Sequence, residues 1–141
     1  MSASSHRPLD ILIVEDERLL ALSLKLLIEF DPGYRVSGFA DDLASARAEV
    51  RRQRPDLALV DIQLARGASG FDVAAELQAL GIPCLFMTGN PPERPRPDLT
   101  IGCLSKPFSD EALMRALQIG REILDGLRPP PTTLPPGLEL Y

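Results

Sequence analysis

Five side chains in this 141-residue chain have the chemistry to hold a divalent cation and receive a phosphoryl group. They are the carboxylates of Glu15, Asp16 and Asp61, the hydroxyl of Thr88 and the ammonium of Lys106. Three carboxylates brought together repel one another, and their pKa values rise unless a cation neutralises them. Mg²⁺ suits such a cluster, because it takes a few hard oxygen ligands and keeps several waters. On this reading Asp16 and Asp61 bind the metal directly, and Glu15 reaches it directly or through water. Asp61 is also the nucleophile: a carboxylate attacking phosphorus forms an acyl phosphate, and the rest of the site positions the reactants and neutralises spreading charge. Lys106 supplies a mobile cation and Thr88 a hydroxyl donor for the phosphoryl oxygens. Gly89 leaves room for the incoming group.

These residues meet only if the elements carrying them run side by side. Glu15 and Asp16 follow the apolar run Leu9–Val14, Asp61 follows Leu57–Val60, Thr88 follows Cys84–Met87, and Lys106 follows the weaker strand pattern 100–104. The three strongest runs lack polar alternation, as strands buried on both faces do. A further weak strand pattern covers 34–39. Helical stripes fall between the strands at 17–30, 42–54 and 71–80, and a last one follows at 110–127. Ser69 with Asp72 has capping-box spacing, Ser109 can cap the last helix, and Gly81 stands where a helix should stop. Strands alternating with helices predict a parallel α/β sheet covered on both faces. In such sheets ligands bind beyond the carboxyl ends of the strands, where all five side chains fall.

One helix is missing from this alternation. The segment 90–98 contains four prolines, which remove backbone donors and forbid a regular helix, so a loop or a single turn is expected. The segment 128–141 contains five prolines and reads as an extended, solvated tail, and residues 1–8, including His6, read as a flexible arm. One domain spans 9–127.

The net charge of -5 argues against a nucleic-acid partner. No apolar stretch approaches the ~20 residues of a membrane span, and no signal sequence is evident. Cys84 and Cys103 read as small buried hydrophobes on adjacent strands of a chain in a reducing cytoplasm.

Taken together, Val14-Glu15-Asp16, Leu59-Val60-Asp61-Ile62, Met87-Thr88-Gly89 and Ser105-Lys106-Pro107-Phe108 resemble the receiver domains of two-component response regulators, over about residues 9 to 127. The resemblance implies a flavodoxin-like fold, a five-stranded parallel sheet of order 2-1-3-4-5 with helices on both faces and a reduced or absent fourth helix. It implies that Asp61 takes a phosphoryl group from a sensor histidine kinase. Glu15, Asp16 and the backbone carbonyl of Gln63 would serve Mg²⁺, and the Lys106-Pro107 bond would be cis. Gln63 and Asn90 occupy positions that tune water access to the acyl phosphate. Such a chain is a signalling phosphoacceptor, not an enzyme in the ordinary sense. It passes its signal to a downstream regulator or a histidine phosphotransfer protein. More narrowly, Phe86-Met87-Thr88-Gly89-Asn90 is similar to the FATGUY group of single-domain alphaproteobacterial receivers, which implies HWE or HisKA2 kinases and stress signalling by analogy alone.

Two features depart from the family pattern. Cys103 stands where ordinary receivers carry a switching Tyr or Phe, and the proline loop replaces the fourth helix. Both favour a rival reading, an interaction module that acts independently of phosphorylation. The loop itself is expected to order or shift on phosphorylation. A haloacid-dehalogenase-type phosphatase would need a second acid where Gln63 stands, and a nucleotide site would not place Glu15-Asp16-Glu17 in its phosphate loop.

Overall fold

A computed structural model describes residues 7–64 and 67–141. The elements run β1 (Leu9–Val14), α1 (Arg18–Glu29), β2 (Tyr34–Ala40), α2 (Leu43–Arg52), β3 (Leu57–Asp61), α3 (Gly70–Ala79), β4 (Cys84–Thr88), β5 (Gly102–Ser105), α4 (Asp110–Leu124) and β6 (Leu138–Leu140). The first five strands pair in parallel in the order 2-1-3-4-5, as expected.

The apolar runs became the sheet's centre. Every residue of β1, β3 and β4 is buried, and a fully buried aliphatic side chain contributes about 1.5–3 kcal/mol. Alternate residues of each strand feed opposite faces. Ile11, Ile13, Leu57 and Leu59 pack beneath α1 and α4, whereas Leu12, Val14, Ala58 and Val60 pack beneath α2 and α3. Polar side chains set several helix starts: Asp42 and Ser45 form a reciprocal capping box on α2, and Ser109 accepts from the Ala112 amide on α4. Ser69 caps α3 by accepting from Phe71 N, not through a pairing with Asp72. Gly81, at φ +78, ends α3 as its position implied.

No helix lies between β4 and β5. The connection is a series of turns pinned near its end, where the Arg96 carbonyl accepts from Leu99 N and Thr100 N and the Arg96 guanidinium lies 5.4 Å from the Phe71 ring.

The C-terminal segment corrects the expectation of a solvated tail and of five strands. After a single 3-10 turn at Pro131–Thr133, Leu138–Leu140 pairs antiparallel with β5, giving a sixth strand and the order 2-1-3-4-5-6. Leu138 is buried in the core. Without this strand β5 would present unpaired N–H and C=O groups at an open edge, and that edge supplies the partner the segment lacked when read alone. The start of the chain is corrected in part: Arg7 is bonded to both carboxylate oxygens of Asp56, at 2.8 and 2.6 Å. Residues 1–6 of the expected arm, including His6, lie outside the described residues. Among the described residues, no helix is long and apolar enough to cross a membrane.

Candidate functional site

The carboxyl ends of β1, β3, β4 and β5 bring Glu15, Asp16, Asp61, Thr88 and Lys106 to one rim of the sheet. Oxygens of Glu15, Asp16 and Asp61 lie within 4.8 Å of one another. Glu15 and Asp61 are buried and Asp16 is exposed, so the cluster opens to solvent on the Asp16 side.

Three of the side chains are aimed by the backbone just beyond them. Glu15 Oε2 accepts from Glu17 N at 3.1 Å, Asp61 Oδ1 from Gln63 N at 3.0 Å, and Thr88 Oγ1 from Asn90 N at 3.1 Å. Each contact spans two residues, a local turn in which a short polar side chain satisfies the chain as it leaves a strand. The second oxygens of the two buried acids face Lys106, whose Nζ lies 3.1 Å from Glu15 Oε1 and 3.0 Å from Asp61 Oδ2. Burial alone would lower the Lys106 pKa, but the bonds to Asp61 and Glu15 outweigh it and hold the ammonium above its ordinary value. Burial likewise pushes the Glu15 carboxyl up, against the opposing pull of the Glu17 amide and Lys106.

The donor set fits a hard divalent cation. Each of the three acids offers a carboxylate oxygen, the hard ligand type such an ion takes, and these oxygens lie within 4.8 Å of one another. Glu15, Asp16 and Asp61 would hold such an ion.

Gln63, Gly89 and Asn90 are exposed at the rim. The Lys106-Pro107 peptide is cis. Cys103 is buried on β5 opposite Phe86 of β4, and both cysteines are free; burial pushes the Cys84 thiol up to about 12. The first helix takes Glu17 as its N-cap, without a side-chain bond, so neither Glu15 nor Asp16 caps it.

The structure adds neighbours that sequence reading did not single out. Arg18, Leu22, Phe39 and Asp41 line a cleft of about 620 Å³ beside Glu15 and Asp16. Gly70 packs on the backbone that carries Asp61: its amide donates to Ile62 O at 2.8 Å, and a Cβ there would collide with the Asp61 carbonyl and stand 2.6 Å from Ile62 Cα. Its place directly after the cap Ser69 was the only local hint.

A sheet of order 2-1-3-4-5 with acids, a hydroxyl and a lysine at its carboxyl rim defines a class of signalling domain. Residues 11–118 match the family described as the response regulator receiver domain, and the chain belongs to that family. The phyllosphere-induced regulator PhyR of Methylorubrum extorquens is 40% identical over 106 residues, covering 70% of this chain and 38% of that protein. The receiver domain of PhyR from Erythrobacter litoralis superposes with a TM-score of 0.73 at 28% identity, over 89% of this chain and 97% of that one. An anti-anti-sigma factor PhyR from Bartonella quintana superposes with a TM-score of 0.66 at 30% identity, over 87% of this chain and 53% of that one. The chain thus spans about two-fifths of the Methylorubrum protein and about half of the Bartonella one.

Proposed function

We propose that this receiver domain accepts a phosphoryl group on Asp61 in a Mg²⁺-dependent reaction, with a sensor histidine kinase as the donor. The observation that carries this reading is the Lys106 ammonium held at 3.1 and 3.0 Å from Glu15 and Asp61, while Asp16 leaves the cluster open on one side. Asp61 Oδ2 is the attacking oxygen. Its partner oxygen stays bonded to Gln63 N, so the carboxylate is already oriented when the donor arrives. Lys106 is positioned to follow the charge that develops on the phosphoryl oxygens, and the buried Thr88 hydroxyl donates to one of them. A divalent ion held by Glu15, Asp16, Asp61 and the Gln63 carbonyl would neutralise the remaining charge. Gln63 and Asn90, exposed on either side, govern how water reaches the acyl phosphate.

The signal leaves by protein contact or by relay to a histidine phosphotransfer protein. The likeness to a protein described as an anti-anti-sigma factor supports protein contact. The similarity of residues 86–90 to the FATGUY group supports an HWE or HisKA2 kinase and a stress pathway.

The test is incubation of the protein and of Asp61→Asn with Mg²⁺ and a small phosphodonor, followed by intact mass measurement. An acid-stable, base-labile phosphoryl adduct is expected on wild type alone. No gain, even with a cognate kinase, would favour the phosphorylation-independent module that Cys103 and the absent helix suggest.

A further inference from the structure

We infer that the C-terminal strand is a strap over the β5 edge that is released when Asp61 is phosphorylated. The inference rests on the phosphoacceptor reading above and extends it to the output of the site.

The β5 edge is built for this strand. Gly102 has no side chain, and a Cβ there would collide with the Glu139 carbonyl and stand 3.2 Å from Leu140 Cα, so β6 can approach only because position 102 is glycine. Gly137, at φ +85, makes the turn that delivers the chain onto the edge and lies against the Ser105 backbone. The end of the chain also covers the position where the expected aromatic is absent: Tyr141 packs on the core cluster that contains Cys103, and its amide donates to Ile101 O at 3.0 Å.

The same strand is easily lost. It has three paired residues and follows a segment 125–137 that contains five prolines. Glu139 is exposed, and Leu138 is the strand's one buried side chain. Short edge strands with so few buried side chains open at the low end of a protein's local stability range.

One residue links the strap to the site. Ser105 N donates outward to Gly137 O at 2.9 Å, and the next residue, Lys106, donates its backbone N–H inward to Thr88 O at 2.8 Å while its ammonium bridges Glu15 and Asp61. A phosphoryl group on Asp61 draws Lys106 Nζ away from the carboxylate pair and engages Thr88. Both changes act on the Ser105-Lys106 backbone. The Ser105–Gly137 bond has ordinary length in the unmodified protein, so displacement of Ser105 in either direction weakens it. Release leaves β5 with an unpaired row of N–H and C=O groups along the edge that β6 had covered.

The experiment is residue-resolved amide exchange by NMR with and without Mg²⁺ and beryllofluoride, a phosphoryl mimic. Beryllofluoride should shift the resonances around Asp61 and speed exchange of the Ser105 and Tyr141 amides about fivefold or more, the lower bound of ordinary coupling between sites. Coupling is reciprocal, so Gly102→Val, which ejects the strap, should raise exchange of Tyr141 without the mimic and tighten beryllofluoride binding by a similar factor. Leu138→Ala provides the same test with β5 itself untouched. Shifts around Asp61 with unchanged Ser105 and Tyr141 exchange would overturn this inference and leave the phosphoacceptor reading standing. Neither shifts nor a phosphoryl adduct in wild type would overturn both.

Discussion

Lys106→Met removes the cation that, among the described residues, touches both buried acids of the site, and its cost follows from the geometry. Each carboxylate–ammonium contact, at 3.0 and 3.1 Å, is worth about 5 kcal/mol of attraction at an effective dielectric near 20. Desolvation of the charges offsets most of this. Lys106 is also 25% exposed, which weakens the pair relative to a fully buried one. Removing one partner strands Glu15 and Asp61, whose side chains are only 2% and 9% exposed. The net loss should be about 2–4 kcal/mol in metal-free buffer. Urea unfolding followed by circular dichroism, with a chelator present, measures it. Adding Glu15→Gln to Lys106→Met should recover part of the loss by deleting one of the two stranded charges. Saturating Mg²⁺ should stabilise the Lys106→Met protein more than wild type, because the ion then faces the acids without a competing ammonium. A loss below about 0.5 kcal/mol, or equal stabilisation of both proteins by Mg²⁺, would refute the reasoning that Lys106 and a divalent ion neutralise the same charge.

Gly70→Ala should cost about 1–3 kcal/mol, because the added methyl meets backbone atoms of Asp61 and Ile62 that cannot swing aside. It should also slow phosphoryl uptake on the order of tenfold or more by displacing Asp61, measured as the rate of mass gain with a small phosphodonor. At the opposite end of the sheet, burial works against the Asp56 charge, but the Arg7 guanidinium and the Asp10 amide hold its carboxyl below the ordinary range. Its folded pKa is depressed, so its contribution is present above the unfolded value and fades as pH falls through and below about 4. Asp56→Asn should therefore lose about 1 kcal/mol at pH 7, with a difference from wild type that shrinks at acid pH in parallel urea titrations. Amide exchange across Asn90–Leu99 should change when beryllofluoride occupies the site, and identical exchange in both states would remove the loop from any switching role.

The segments carrying the site were legible because their signals are local. An apolar run of β-branched residues with an acid or threonine at its end declares both a buried strand and the rim where chemistry can sit. Helix stops and most caps were likewise readable, since Gly81 and Ser109 act within one turn of their own positions. Ser69 shows the limit of that reading: the residue caps α3, but through Phe71 N, because side-chain geometry and not sequence spacing chooses the amide.

What was not legible depends on residues far apart in the chain. The sixth strand has three residues after a proline-rich stretch and carries no periodicity of its own. It forms because β5 leaves an edge open 33 or more residues earlier in the chain, and because Gly102 lets it approach. Gly70 is similarly unremarkable in sequence, yet it fixes how closely α3 packs on the backbone of Asp61. By itself, then, the sequence determined which side chains could do the chemistry and which strands would carry them, since residue type and short-range pattern settle both. Tertiary structure alone decided which oxygen of each acid faces Lys106 and which edge the chain's last residues cover, because those outcomes depend on what other segments leave unpaired.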